Sequence, residues 1–134
     1  MKKKFLIISY KAMNNNDIRL EKFGKLLEIV NELREKCPWD REQTNESLRK
    51  LTIEETYELA DAIIKGDNEG IKEELGDLML HIAFYSKIGE EKGAFTLADV
   101  LESINNKLIY RHPHVFGNID VKNSDDVKKN WEKL

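Results

Sequence analysis

Nine carboxylates fall between Glu54 and Asp77, against two lysines, Lys65 and Lys72, which leaves this stretch at −7. Their spacing says more than their number. Glu55 and Glu58 stand three apart and Glu54 and Glu58 four apart, so on a helix they share one face; Glu74 and Asp77 repeat the three-residue step. Carboxylates held together raise one another's pKa, and a divalent cation relieves the repulsion. Oxygen-only ligands select hard ions, Mg²⁺ or Mn²⁺. A cation held this way suits a substrate with negative oxygens of its own, phosphate chains above all. The competing reading is a solvated acidic face paired with bases four residues away. Few bases stand beside Glu54, Glu55 and Glu58, whose neighbours include Ile53, Tyr57 and Leu59. That favours the metal.

A second cluster runs from Lys107 through Arg111, His112 and Pro113 to His114. Lys107 and Arg111 are four apart, hence on one helical face near its C-terminal end. Compensation of the helix dipole is one role for them. A two-pronged phosphate clamp, with Arg able to bind bidentately, is the other. Spacing alone leaves the dipole reading slightly ahead. His81 follows Asp77 by four residues and reads as a core or surface histidine, since a di-iron site would need two Glu-x-x-His units. His112 and His114 flank Pro113 and fit a turn. Cys37 is the single cysteine, which excludes an intramolecular disulfide and a Cys-rich zinc site and carries no nucleophile pattern. Trp39 and Trp131 fit a core or a stacking role equally.

Helices must position these groups. Phe23, Leu26, Leu27, Ile29, Val30 and Leu33 recur at three- and four-residue steps over about 18–36. Pro38 ends that helix, and residues 37–44 read as a turn in which Asp40 and Gln43 fit a capping box. A second helix is expected over about 47–65, closed by Gly66 as a left-handed cap, and a third over 68–91, stopped by Gly93. The short connection forces the two to run antiparallel and adjacent. Glu58 and Glu74 then lie about two turns from the loop on either side, so the acidic pairs meet at one height. Thr96 and Asp99 resemble a capping box for a fourth helix reaching about Tyr110, which Pro113 ends. Ser124 is the expected cap of a short last helix holding Val127 and Trp131. The fold expected is all-α, an antiparallel bundle of four main helices plus a short C-terminal one.

The whole chain has 134 residues, 22 Lys+Arg and 25 Asp+Glu, net −3. This bounds it to one helical domain, 18–134, behind a tail over 1–17. The balance argues against a nucleic-acid-binding module. The basic start Met1–Lys4 and the run Phe5–Tyr10 are too short for a signal peptide or a span of about 20 apolar residues. No membrane association and a cytoplasmic location are therefore expected.

Taken together, these residues resemble a known family. Glu54-Glu55-Thr56-Tyr57-Glu58, fifteen residues, then Glu74-Leu75-Gly76-Asp77 is similar to the EExxE…ExxD signature of the MazG-like nucleoside triphosphate pyrophosphohydrolases. Cys37-Pro38-Trp39-Asp40 with Gln43-Thr44, and Arg111-His112-Pro113-His114-Val115-Phe116, fit the same pattern, so the resemblance covers about residues 20–134. It implies a dimerising all-α protein that uses Mg²⁺ to cleave nucleoside triphosphates between the α- and β-phosphates. Metal ligands implied by it are Glu55, Glu58, Glu74 and Asp77, with Glu54 helping the metal or placing water. Lys107 and Arg111 match phosphate contacts, and Trp131 matches a tryptophan near the nucleotide. Many members carry two tandem domains, so a weakly catalytic nucleotide-binding or regulatory half is the alternative. No base-reading motif is present.

Overall fold

The computed structural model describes residues 17–133. The expected tail therefore lies, except for Asp17, outside the described residues. The all-α expectation holds. Seven helices and no strand occur among the described residues: α1 Ile18–Lys36, α2 Pro38–Glu42, α3 Asn45–Lys65, α4 Asn68–Glu91, α5 Leu97–Arg111, α6 Pro113–Phe116 and α7 Ser124–Lys133. They form two compact units, Ile18–Leu97 and a second from Ala98 onward. No helix among the described residues is long and apolar enough to cross a membrane.

In the first unit α3 packs mainly on α4, and α1 packs on both α2 and α4. Residues 37–44 contain more than a turn. Cys37 is extended (φ −91°, ψ 122°), as the residue before a proline must be, and Pro38 then opens the short helix α2. Asp40 and Gln43 do not make a capping box: Gln43 ends α2, and its side-chain amide donates to the Trp39 carbonyl at 2.8 Å. The capping box belongs to Thr44 and Ser47. The Ser47 N–H donates to Thr44 Oγ1 at 3.1 Å and the Thr44 N–H to Ser47 Oγ at 2.8 Å. That reciprocal pair starts α3 at Asn45, two residues earlier than periodicity alone predicts.

Gly66 closes α3 with φ 67°, which only glycine adopts without strain, and the Asp67 side chain caps α4 by accepting from the Gly70 N–H at 3.1 Å. With so short a link the two helices turn back on each other. Val30, Leu48, Ala83, Phe84 and Ile88 form the buried cluster, flanked by Leu26, Leu27, Leu51, Leu80 and Tyr85. Much of the apolar pattern stays outside it. Ile53, Tyr57 and Ile64 on α3, and Leu75, Met79 and Ile82 on α4, are exposed, Tyr57 by 72% and Ile64 by 83%.

In the second unit α5 ends at Arg111, and His112 Nδ1 lies 2.6 Å from the Leu108 carbonyl. Pro113 does stop α5, and it also opens the single turn α6. Asn123, rather than Ser124, caps α7: its side-chain oxygen accepts from the Asp126 N–H at 3.1 Å.

Candidate metal and phosphate site

The α3–α4 hairpin places its acids as the antiparallel register dictates. Glu58 lies eight residues before Gly66 and Glu74 eight after it. Carboxylate oxygens of Glu55, Glu58 and Glu74 converge within 4.8 Å of one another. Glu55 and Glu74 are half-buried and Glu58 is exposed. Glu54 is exposed and not part of this triplet, and Asp77, one turn after Glu74, is likewise exposed and outside it. The charge of Asp77 is still felt by both Glu55 and Glu58.

The electrostatics follow from crowding. One oxygen of Glu55 and one of Glu74 are buried and have no donor. Hydrogen bonding to the facing Glu74 carboxyl, which favours the protonated form, together with burial and the charges of Asp77 and Glu58, pushes the Glu55 carboxyl up to about 8. Glu58 is raised as well, chiefly by the charge of Glu74. The two lysines of the stretch are engaged elsewhere, Lys65 with Asp61 and Lys72 with Glu69, each at 2.8 Å. Beside the triplet an open groove of about 440 Å³ is lined by Glu58, Glu74, Tyr57, Asp61, Lys65 and Glu73.

The donor set fits a cation. All three converging groups are carboxylates, the choice of hard divalent ions. Two buried carboxylate oxygens that no donor satisfies are suited to a cation.

The other predicted site residues belong to the second unit. Lys107 is exposed on α5, and Arg111 follows it by one turn. The Arg111 guanidinium lies 4.8 Å over the Trp131 ring, a cation–π stack that ties the end of α5 to α7. The His112 ring meets Trp131 edge-on at 5.4 Å and sits 5.4 Å from His114. Trp131 is thus half-buried against Arg111 and His112, which sequence alone left open.

Sequence reasoning missed one polar cluster on the acidic hairpin. Thr52 Oγ1 lies 2.9 Å from His81 Nδ1 and 2.5 Å from Tyr85 Oη. Counting residues outward from Gly66 would have brought Thr52 and His81 to one height, as it did for Glu58 and Glu74.

The MazG nucleotide pyrophosphohydrolase domain matches residues 43–116, a span that includes the whole acidic hairpin. The chain is 48% identical over 111 residues to the nucleoside triphosphate pyrophosphohydrolase/pyrophosphatase MazG of Thermotoga maritima, covering 79% of this chain and 44% of that protein. It is 40% identical over 118 residues to the nucleoside triphosphate pyrophosphohydrolase of Escherichia coli K12, covering 86% and 45%. It is also 44% identical over 114 residues to the uncharacterized protein YabN of Bacillus subtilis, covering 84% and 23%. The chain therefore spans between about a quarter and a half of the length of these curated relatives. The crystal structure of a mazG-related protein from Thermotoga maritima superposes with a TM-score of 0.70 at 25% identity, over 82% of this chain and 96% of that one. By its matched domain, its relatives and its helical hairpin of paired acids, the chain belongs to the MazG nucleotide pyrophosphohydrolase domain family.

Proposed function

We propose that this chain hydrolyses nucleoside triphosphates between the α- and β-phosphates, releasing monophosphate and pyrophosphate, with Mg²⁺ as the ion and Mn²⁺ as its substitute. The observation that carries this reading is the convergence of Glu55, Glu58 and Glu74 within 4.8 Å, with two buried oxygens lacking donors. Those three residues, with Asp77 one turn on, would hold the metal. When bound, the ion supplies charge neutralisation for a phosphate chain and a lower pKa for a water it holds. Without a counter-charge the hairpin repels a triphosphate, so substrate binding depends on the cation.

The remaining roles belong to the chain's own groups. Glu54, exposed beside Glu55, is assigned to orienting water. Lys107 and Arg111, on one face of α5, are assigned to phosphate oxygens. Arg111 is suited to this because its planar fork binds two oxygens at once. Trp131, already the stacking partner of Arg111, is assigned to the nucleotide side of that contact. A homodimer would cover the exposed stripes of α3 and α4, since a helix apolar on two faces belongs inside an assembly.

A second reading rests on chain length. The relatives extend well beyond the matched region, and a nucleotide-binding half need not be catalytic. A panel of canonical and damaged nucleoside triphosphates, assayed with Mg²⁺ for monophosphate plus pyrophosphate, separates the two. Pyrophosphate release supports the enzyme, whereas metal-dependent binding without it supports the regulatory half.

A further inference from the structure

Along the α3–α4 seam the polar residues follow a strict order. Thr52 faces His81 and Tyr85; Glu55 comes one turn later on the same face of α3, and Asp77 lies one turn before His81 on α4. The bonds at Thr52 are unusually dense for one hydroxyl. Its Oγ1 donates to the Leu48 carbonyl at 3.1 Å. With its only proton used there, it accepts from Tyr85 Oη–H and from His81 Nδ1–H, the arrangement in which every group is satisfied. The His81 and Tyr85 rings also meet edge-on, 6.4 Å apart. Burial holds His81 below the ordinary imidazole range, against the pull of Asp77, in keeping with a neutral ring that donates from one nitrogen.

We propose that the Thr52–His81–Tyr85 cluster is a positioning device for the carboxylate site: it pins the rotation of α3 against α4 one turn from the triplet and so holds Glu55 opposite Glu74. This rests on the metal-site reading above. A helix rotated by one residue turns its side chains by about 100°, which would carry Glu55 out of reach of Glu74.

The test is Mn²⁺ affinity of the full 134-residue chain, read from the free-ion electron paramagnetic resonance signal, with thermal midpoints measured in parallel. Thr52→Val keeps the shape and deletes the bonds; Thr52→Ser keeps the hydroxyl and deletes a methyl. Thr52→Val is expected to weaken Mn²⁺ binding about tenfold, the range seen when groups that orient ligands are lost. Thr52→Ser is expected to bind as the unaltered chain does, even if its midpoint falls. Equal affinities for Thr52→Val and the unaltered chain, or equal losses in both variants, overturn the proposal. If Thr52→Val does not fold, Tyr85→Phe takes its place: weakened binding supports the proposal and unchanged binding overturns it. Glu58→Gln separates the two layers. A chain that loses Mn²⁺ with Glu58→Gln but not with Thr52→Val has the metal site without the positioning role. A chain that binds no Mn²⁺ at all overturns both.

Discussion

Glu55 and Glu74 face each other across the α3–α4 seam, each with one buried oxygen that no donor reaches. Two carboxylates so placed have two ways out, a shared proton or a shared cation. Which one prevails depends on pH and on metal, and the consequences can be measured.

The pH dependence has a defined sign. The folded Glu55 pKa is raised from 4.5 to about 8. The protonated form is therefore favoured by folding, and this stability is fully present below the unfolded value and lost as pH rises through the folded one. The thermal midpoint of the metal-free protein should fall between about pH 5 and about pH 8.5, and Glu55→Gln should flatten that slope. Added Mg²⁺ should raise the midpoint more at the alkaline end, because ligands bind metal deprotonated. Differential scanning calorimetry with and without Mg²⁺ checks all three.

Arg34 is the main polar staple of the first unit. Its Nη1 donates to the carbonyls of Asp40 (2.6 Å), Arg41 (3.1 Å) and Gln43 (2.9 Å). Nε and Nη2 grip the Glu91 carboxylate on α4, and the guanidinium lies 5.5 Å over Phe84. Arg34→Lys keeps the charge and loses the fork, so urea unfolding should show a loss of about 2 kcal/mol. Arg34 also holds the Glu91 carboxyl below its usual range. The stability from this pair is present above the ordinary glutamate pKa and is lost as pH falls through the lowered one.

Gly89 tests the packing around α4. A methyl placed there would meet the Phe95 ring at 2.6 Å. Gly89→Ala should cost about 1–3 kcal/mol through overpacking. Phe95→Leu, which shortens the ring side, should recover part of the loss when combined with it. Independent, additive losses in the double-mutant cycle would show that the two do not press on each other.

The phosphate role of Arg111 separates from its stacking role. Trp131→Leu removes the ring beneath the guanidinium and leaves the charge; Arg111→Ala removes the charge and, with it, the stack, while leaving the ring. Arg111→Ala should raise KM about tenfold or more, the scale of a lost charged hydrogen bond. Trp131→Leu should raise it less, and the salt dependence of binding should drop only in Arg111→Ala. Steady-state kinetics at two ionic strengths measures both.

The hairpin was legible because its determinants are local. Gly66 needs a left-handed cap, Asp67 caps the next helix, and the loop between α3 and α4 is too short for anything but reversal. Glu58 and Glu74 then fall at one height by counting. Chain ends of helices were less legible. Spacing points to Asp40 and Gln43 as the capping box, whereas the reciprocal bonds that form one join Thr44 and Ser47. The core was the least legible part. Tyr57, Ile64, Leu75, Met79 and Ile82 are large and apolar yet exposed, while Ala62, Ala83, Phe84 and Ile88 are buried. Helix α4 is apolar on two sides, and periodicity cannot tell which side faces its own chain. The contact of Thr52 with His81 and Tyr85 is illegible for a related reason: it exists only across the seam.

The most direct measurement follows the products of nucleoside triphosphate turnover by the intact chain and by Glu58→Gln. Monophosphate and pyrophosphate in equal amounts, formed only with Mg²⁺ or Mn²⁺ and reduced on the order of a hundredfold by Glu58→Gln, are the predicted result. Pyrophosphate release by Glu58→Gln at the unaltered rate, or orthophosphate in place of pyrophosphate, would contradict it.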